Sequence, residues 1–487
     1  MVGSGPLAAA SPVAGGRAPR GGVLRTWQFS RALHDAGHAV DTVTLPAEGT
    51  SPALLEAGGP GLVTPGRRGG IAFSNINTVT YPRAVGALQE IASRKPYDAL
   101  VGVGMTACVL LSRLHLKLPA WFDLGEAPAV AEAQARGRQV GSDDGLKTAW
   151  ARQRAVLRRG DRFSCASHRR MFALVGELGA LGRLNRFTFD HQFANVIAPA
   201  APDAVIVPPP PAPDATNPDG EGPLKGGLTP PDALVALWTG AWRGWNDPRT
   251  LASALSLAME AQPRLHFVCA GGGLPGLDEG AYATFEAEVK RTGFRDRCHL
   301  LGWVGDRRLA ELLRDGDCGV LAELPCYATA LGAPARLAVM MGAGLPIVTT
   351  GGGDMADAIA GEDLGIVTRL GQAHELADGI LRAVNDRPAA LARAARAKEW
   401  ARANLSYETT CRALVRWAAD PQPAPDNLEK ARVEPGTPVL GQVALNPLET
   451  EALNAERNLA DELAKTKAEL EHLKSQPLVR MVRKSMG

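Results

Sequence analysis

Short apolar runs alternate with helical periodicities twice along this chain, and that alternation constrains its fold more than any other feature. In the first stretch, Leu24, Trp27, Phe29 and Leu33 recur on one helical face, Gly37 stops the helix, and residues 39–45 run as a strand. Further strands are predicted over 98–103, 119–124 and 162–166, with helices over 129–138 and 146–158. The segment 199–232 breaks the pattern; it contains Pro208-Pro209-Pro210-Pro211 and predicts an extended connection. The alternation then restarts, with strands over 234–238, 266–270, 299–301, 318–321, 347–350 and 365–367. Helices over 248–261, 285–292, 306–314 and 334–342 lie between them. Strands alternating with helices mean a parallel sheet covered on both faces. The expectation is an α/β chain of two doubly wound Rossmann-like domains, 1–198 and 233–418, facing a cleft. A linker over 419–447 and a helical tail over 448–487 follow.

A length of 487 residues suits about two to three domains. The net charge of +2 argues against nucleic acid as the main partner, because phosphate-backbone binders usually carry a strong basic field. Seven cysteines are scattered without a CxxC pair, which suits a reducing cytoplasm better than a disulfide framework. No segment reaches the ~18 apolar residues that span a bilayer. Residues 1–20 are rich in Ala and Pro, lack basic residues before the Ala patch, and are expected to form a loop rather than a signal peptide.

The most informative stretch, residues 337–354, reads LAVMMGAGLPIVTTGGGD. An apolar helix ends at Ala343-Gly344, and a buried strand ends at Thr350. Gly351, Gly352 and Gly353 then open a loop, and a new helix begins near Asp354 and Met355. Free backbone N–H groups and the helix dipole favour an anion at such a place. Glycines also serve ordinary tight turns.

With this stretch, three other places resemble the GT-B glycosyltransferases, specifically the glycosyltransferase family 4 group. Gly21-Gly22-Val23 with Arg25, followed by residues 33–40 (LHDAGHAV), is similar to the family's opening glycine loop and helix-to-strand join. Residues 237–245 (LWTGAWRGW), with Gly240, are similar to the first strand and loop of its donor domain. Leu301-Gly302-Trp303-Val304 is similar to the strand near the nucleotide base. The likeness runs from about Gly21 to Trp417. It implies a metal-independent glycosyltransferase without a cofactor. The first domain would take a glycan or lipid-linked acceptor, through a loop of Gly21, Gly22 and Arg25, and the second a nucleotide-diphosphate sugar. Retention of anomeric configuration and a role in bacterial surface glycan synthesis are further implications of the resemblance. The chain departs from the family at Val339, where an acid usually stands; Glu323 is the nearest upstream acid, 16 residues before it. It also has Phe122 where the family often has His.

Transfer from a nucleotide sugar must stabilise the leaving diphosphate, by a metal or by cations and helix N-termini. No clear counterpart of the family's phosphate-binding Lys exists, which leaves Arg243, in the loop after a strand, and Arg336, on its helix, as the cations aimed at the phosphates. Gly240, Val304, Thr350, Gly351, Gly352, Gly353 and Asp354 complete the expected donor site. Asp123 and Glu126 end a strand of the first half; they either meet the acceptor or transferred sugar as catalytic acids or cap a helix. Asp315-Gly316-Asp317 resembles a metal-binding DxD motif but sits where a helix-ending turn is expected. His34 and His38 have i,i+4 spacing, but Gly37 interrupts their helix, so no metal site is expected. Trp242, Trp245 and Trp303 serve either the cleft or the core. In the tail, Leu459, Leu463, Thr466, Leu470 and Leu473 follow a coiled-coil spacing that would join copies of the chain, against a solvated single helix. The basic, apolar residues 478–484 would touch anionic lipid marginally. Two rivals share the fold: a scaffold that binds sugar nucleotides without turnover, for which Val339 argues, and a sugar-nucleotide epimerase.

Overall fold

The structure, a computed structural model, describes residues 1–5, 21–46, 62–68, 70–77, 81–114, 116–125, 128–201, 223–274, 278–428, 462–463 and 465–469. Two units divide it, 1–432 and 433–487. The first is built on two sheets. One has the strand order β3-β4-β2-β1-β5-β6-β7-β8. Its strands are β1 (Val2–Gly5), β2 (Thr42–Pro46), β3 (Val63–Arg68), β4 (Ile71–Ile76), β5 (Leu100–Val103), β6 (Ala120–Asp123), β7 (Arg162–Cys165) and β8 (Ala194–Val196). Pairing is parallel except for the β3–β4 hairpin at the edge.

The other sheet is wholly parallel, in the order β11-β10-β9-β12-β13-β14. It comprises β9 (Leu234–Thr239), β10 (Leu265–Ala270), β11 (Cys298–Gly302), β12 (Cys318–Leu321), β13 (Ile347–Thr350) and β14 (Ile366–Thr368). The two doubly wound α/β halves expected from the alternation are present.

One expectation is overturned at the start of the chain. Val2–Gly5 is no loop; it is β1, paired with both β2 and β5 at the centre of its sheet. Its glycines have a packing reason: a Cβ on Gly3 would overlap Thr26, and one on Gly5 would overlap Thr44. Small residues therefore let Gly21–Asp35 lie close over the strand. That helix ends as its sequence predicts, with Gly37 at φ 85° and the His38 N–H reaching back to the Leu33 carbonyl, 3.1 Å.

The second half's core centres on Trp238, Trp242, Phe267 and Phe285. Trp242 stacks on Trp238 with ring centroids 4.0 Å apart, so it is core rather than cleft lining. Beyond the last strand the chain returns to the first half. Cys411, Leu414 and Trp417 join Phe29 and Trp121 in one cluster, with Trp417 and Trp121 rings 5.5 Å apart. Asp426 then takes both arms of the Arg183 guanidinium, at 2.7 and 2.8 Å. The residues expected to close the second domain near 418 and open a linker at 419 thus pack on the first half.

The Pro-rich connection falls on described residues at 199–201 and 223–232 only. Its far end is tied down: Lys225 Nζ meets Asp317 Oδ2 at 2.7 Å, and the same oxygen accepts the Val235 N–H at 2.7 Å. In the second unit, the described residues are helical and exposed, Leu463 and Thr466 among them. Leu459, Leu470, Leu473 and residues 478–484 lie outside the described residues. Among the described residues, no helix is long and apolar enough to cross a membrane.

Candidate functional site

In the second sheet the chain moves outward from β9 through β10 to β11, then returns to the other flank of β9 as β12. The strand order reverses there, and in open α/β sheets this is where a crevice forms beyond the strand ends. Its walls are the loop after β9 and the loop after β12. They are stitched together: the Asp247 N–H donates to the Ala322 carbonyl at 3.0 Å, and the Leu324 N–H to the Trp245 carbonyl at 2.7 Å. Gly240 has φ 85°, and its backbone lies so close to Gly271 that a Cβ on Gly271 would overlap it. Only glycine satisfies both requirements.

Arg243 lies in the loop after β9, and Arg336 reaches the same loop at Ala241. The Arg243 N–H donates to Asn246 Oδ1 at 2.7 Å, its guanidinium lies 4.9 Å over the Trp245 ring, and Nη2 is 3.2 Å from Glu132 Oε2 of the first half. Arg336, at the start of Ala335–Ala343, donates to the Ala241 carbonyl and lies 4.6 Å from the Trp238 ring centroid. Glu323 is buried after β12, its N–H bonded to Thr350 Oγ1 at 3.0 Å. Burial pushes its carboxyl up to about 7, with the Arg336 charge opposing the rise. Val304 is half-buried against the second core beyond β11, while Trp303 Nε1 donates to the Gly273 carbonyl at 3.3 Å.

The triple-glycine loop is engaged differently. The Gly351 N–H donates to the Thr368 carbonyl at 2.8 Å. Gly352, at φ 135°, sits against the Thr329 methyl, and a Cβ on Gly353 would come 2.9 Å from the Gly332 carbonyl oxygen. These glycines let Tyr327–Leu331 pack onto the loop. The first half then closes over it from His168–Ala180. The His168 N–H donates to Asp354 Oδ2 at 2.6 Å, and Arg169 donates to the Gly352 carbonyl at 2.7 Å and pairs with Asp354 and Asp357. Ser167 Oγ donates to the Leu331 carbonyl at 2.7 Å. Asp354 and Gly352 therefore take part in a clasp between the halves, a contact between distant segments that local sequence does not signal.

In the first half, Asp123 ends β6 fully buried. Arg25 grips it with both arms, Nε to Oδ2 at 3.0 Å and Nη2 to Oδ1 at 2.7 Å, and Ser164 Oγ donates to Oδ1 at 2.7 Å. The residue expected in catalysis and the one expected in the phosphate loop hold each other. Gly21 and Gly22 open the helix that carries Arg25, and a Cβ on Gly22 would press on Ser4 Oγ at 2.9 Å. Glu126 lies outside the described residues. Gly21, Arg25, Gln28, Ala335 and Tyr407 help line a small solvent-open crevice. It brings the starts of helices 21–35 and 335–343 together.

Asp317 of the DxD-like motif is committed to Lys225, Arg387 and the Val235 N–H. Among the described residues, no cluster of three or more His, Cys, Asp or Glu has metal-binding geometry. Burial raises the thiols of Cys108, Cys165, Cys269, Cys318 and Cys411, which disfavours their nucleophilic thiolate forms.

Residues 233–386, which hold the crevice, match the family described as Glycosyl transferases group 1. Among solved structures, sucrose-phosphate synthase tll1590 from Thermosynechococcus elongatus superposes with a TM-score of 0.59 at 17% identity, covering 82% of this chain and 92% of that one. HepE from Anabaena, solved in complex with UDP and glucose, gives 0.56 at 15% identity, covering 82% and 96%. WaaG, a glycosyltransferase involved in lipopolysaccharide biosynthesis, gives 0.51 at 17% identity, covering 80% and 93%. No curated protein matches the chain. The solved structures establish the two-domain GT-B fold, and residues 233–386 carry the likeness to the group 1 glycosyltransferases.

Proposed function

We propose that the protein transfers a sugar from a nucleoside-diphosphate sugar to a glycan or lipid-linked acceptor, as a retaining enzyme that needs no metal. One observation carries this reading: Arg243 and Arg336 come from separate elements to the point where the second sheet reverses its strand order. Two planar guanidinium groups beside the start of Ala335–Ala343 suit the oxygens of a departing diphosphate. They supply the charge stabilisation that a metal supplies elsewhere. HepE has been solved with UDP-glucose, so uridine nucleotides are the first donors to try. The first half takes the acceptor, and the small crevice joining the two helix starts lies on the path between the substrates. A bacterial surface glycan and a cytoplasmic setting belong to the same proposal.

Donor binding without transfer is favoured by one observation, the full pairing of Asp123 with Arg25, which leaves that carboxylate committed. Release of free nucleoside diphosphate from a panel of nucleotide sugars, with and without lipid-linked glycan acceptors, separates the two. Acceptor-dependent release supports transfer. Calorimetric binding with no release under any acceptor supports the scaffold.

A further inference from the structure

The loops after β9 and β12 meet where the second sheet reverses its strand order, and Glu323 stands at that meeting. It follows β12 by two residues, forms an antiparallel bridge with Asn246 of the other loop, and gives its N–H to Thr350 Oγ1 at the end of β13. Asn246 in turn accepts the Arg243 N–H at 2.7 Å, so one contact links Glu323 to the turn that carries Arg243. Other buried carboxylates of this chain are gripped: Asp123 by Arg25 and Ser164, Asp426 by Arg183, Asp317 by Lys225 and the Val235 N–H. Glu323 stands apart from them. It is only 5% exposed, yet among the described residues no donor reaches its carboxyl oxygens.

The charges around it are assigned. Arg336, on Ala335–Ala343, is the one that acts on its carboxyl. Arg243 turns its guanidinium toward Glu132. Asp247 spends its carboxyl on Thr250, accepting the N–H at 3.0 Å and the hydroxyl at 2.6 Å. Burial outweighs the Arg336 charge and lifts Glu323 to about 7. An anion this deep without a donor is costly. The neutral acid carries an O–H instead, and that O–H needs an acceptor. A carboxylate here would repel a diphosphate held by Arg243 and Arg336, whereas a carboxylic acid would add a hydrogen bond to it.

We propose that Glu323 enters the donor site as a neutral acid and donates a hydrogen bond to a non-bridging oxygen of the bound diphosphate. The inference rests on the reading of this crevice as the site of a nucleoside-diphosphate sugar. It adds a positioning residue that works only while it holds its proton.

Calorimetric binding of UDP-glucose, GDP-mannose and ADP-glucose to the full chain between pH 6 and pH 8 is the test. The diphosphate of a nucleotide sugar is substituted at both ends and does not titrate in that interval. Whichever of the three binds should bind wild type about tenfold more weakly at pH 8 than at pH 6, as the protonated fraction of Glu323 falls. At pH 8, buffers of different ionisation heat should show a proton taken up on binding. Glu323→Gln keeps a donor that cannot titrate. It should bind with the wild-type affinity of pH 6 throughout, with no proton uptake. Glu323→Leu should bind about tenfold or more weakly at both pH values, the usual worth of a hydrogen bond to a charged group. Melting curves show that both variants fold. Binding that is flat with pH in wild type, or a Glu323→Gln variant that keeps the wild-type slope, overturns the proposal. So does affinity that rises with pH, which would make Glu323 an anion accepting from ligand hydroxyls. Absence of binding by all three nucleotide sugars at pH 6 overturns the donor-site reading itself, and this inference with it.

Discussion

Arg243 of the second half donates from Nη2 to Glu132 Oε2 of the first at 3.2 Å, so the guanidinium assigned to the diphosphate already faces an anion. Arg243→Ala should weaken nucleoside-diphosphate binding by roughly 1.5–3 kcal/mol, the range for a hydrogen bond to a charged group. Glu132→Gln should act in the opposite sense, tightening binding several-fold by removing one competitor. Calorimetry with UDP, GDP and ADP measures both. Equal affinity in wild type and Arg243→Ala would take Arg243 out of the site.

Transfer should persist after exhaustive chelation, because Arg243 and Arg336 are assigned the work of charge stabilisation. Donor turnover with EDTA, before and after adding manganese, checks this. Activity lost with EDTA and restored by manganese would refute it and reopen the role of Asp315.

Glu323 links stability to pH. Burial holds its carboxyl at about 7 in the folded protein against an ordinary 4.5, so the fold favours the protonated form. Its contribution is therefore complete below about pH 4.5 and is lost as pH rises through about 7, by at most roughly 3 kcal/mol. Denaturant unfolding at pH 5 and pH 8 should show wild type losing more stability than Glu323→Gln over that interval. Identical slopes in the two proteins would mean that Glu323 titrates normally.

The Arg25–Asp123 pair is buried on both sides. Breaking one member leaves an uncompensated charge, so Arg25→Met alone should cost roughly 3–5 kcal/mol. Arg25→Met with Asp123→Leu should recover a large part of that loss, since neither charge then remains. If Arg25→Met abolishes transfer with no change in unfolding free energy, the pair is catalytic rather than architectural.

The legible parts of this chain were those whose punctuation is local. Pro248–Ala261, Cys318–Leu321 and Ile347–Thr350 have the expected bounds, because Asp247 caps and Pro248 starts the helix, Gly316 precedes the first strand and Gly351 follows the second. Central strand β1 was hidden because Gly3 and Gly5 remove the apolar signal that a strand normally shows, and the reason for them, Thr26 and Thr44, lies elsewhere in the chain. At the site, Arg243 and Arg336 could be nominated from their places after a strand and at a helix start. Their neighbours Glu132 and Glu323, and the Arg169 clasp on Gly352, depend on pairings between distant segments that no periodicity reports. Within the glycine triplet only Gly352 takes a positive φ, and its nearest neighbour is the Thr329 methyl, while Gly353 faces the Gly332 and Thr329 carbonyls.

The return of Cys411, Leu414 and Trp417 to the first half means that the polypeptide passes between the halves twice, once near 201 and again near 405. The two passages meet, where the Ala201 N–H donates to the Leu405 carbonyl at 2.9 Å. A single tether would permit swivelling in any direction; two tethers bonded side by side act as a pivot and leave one easy rotation. Cutting the gene between the halves would sever that pivot. It would also strip Phe29 and Trp121 of their cover, so the first half expressed as 1–198 should be poorly soluble unless residues 406–428 are supplied with it.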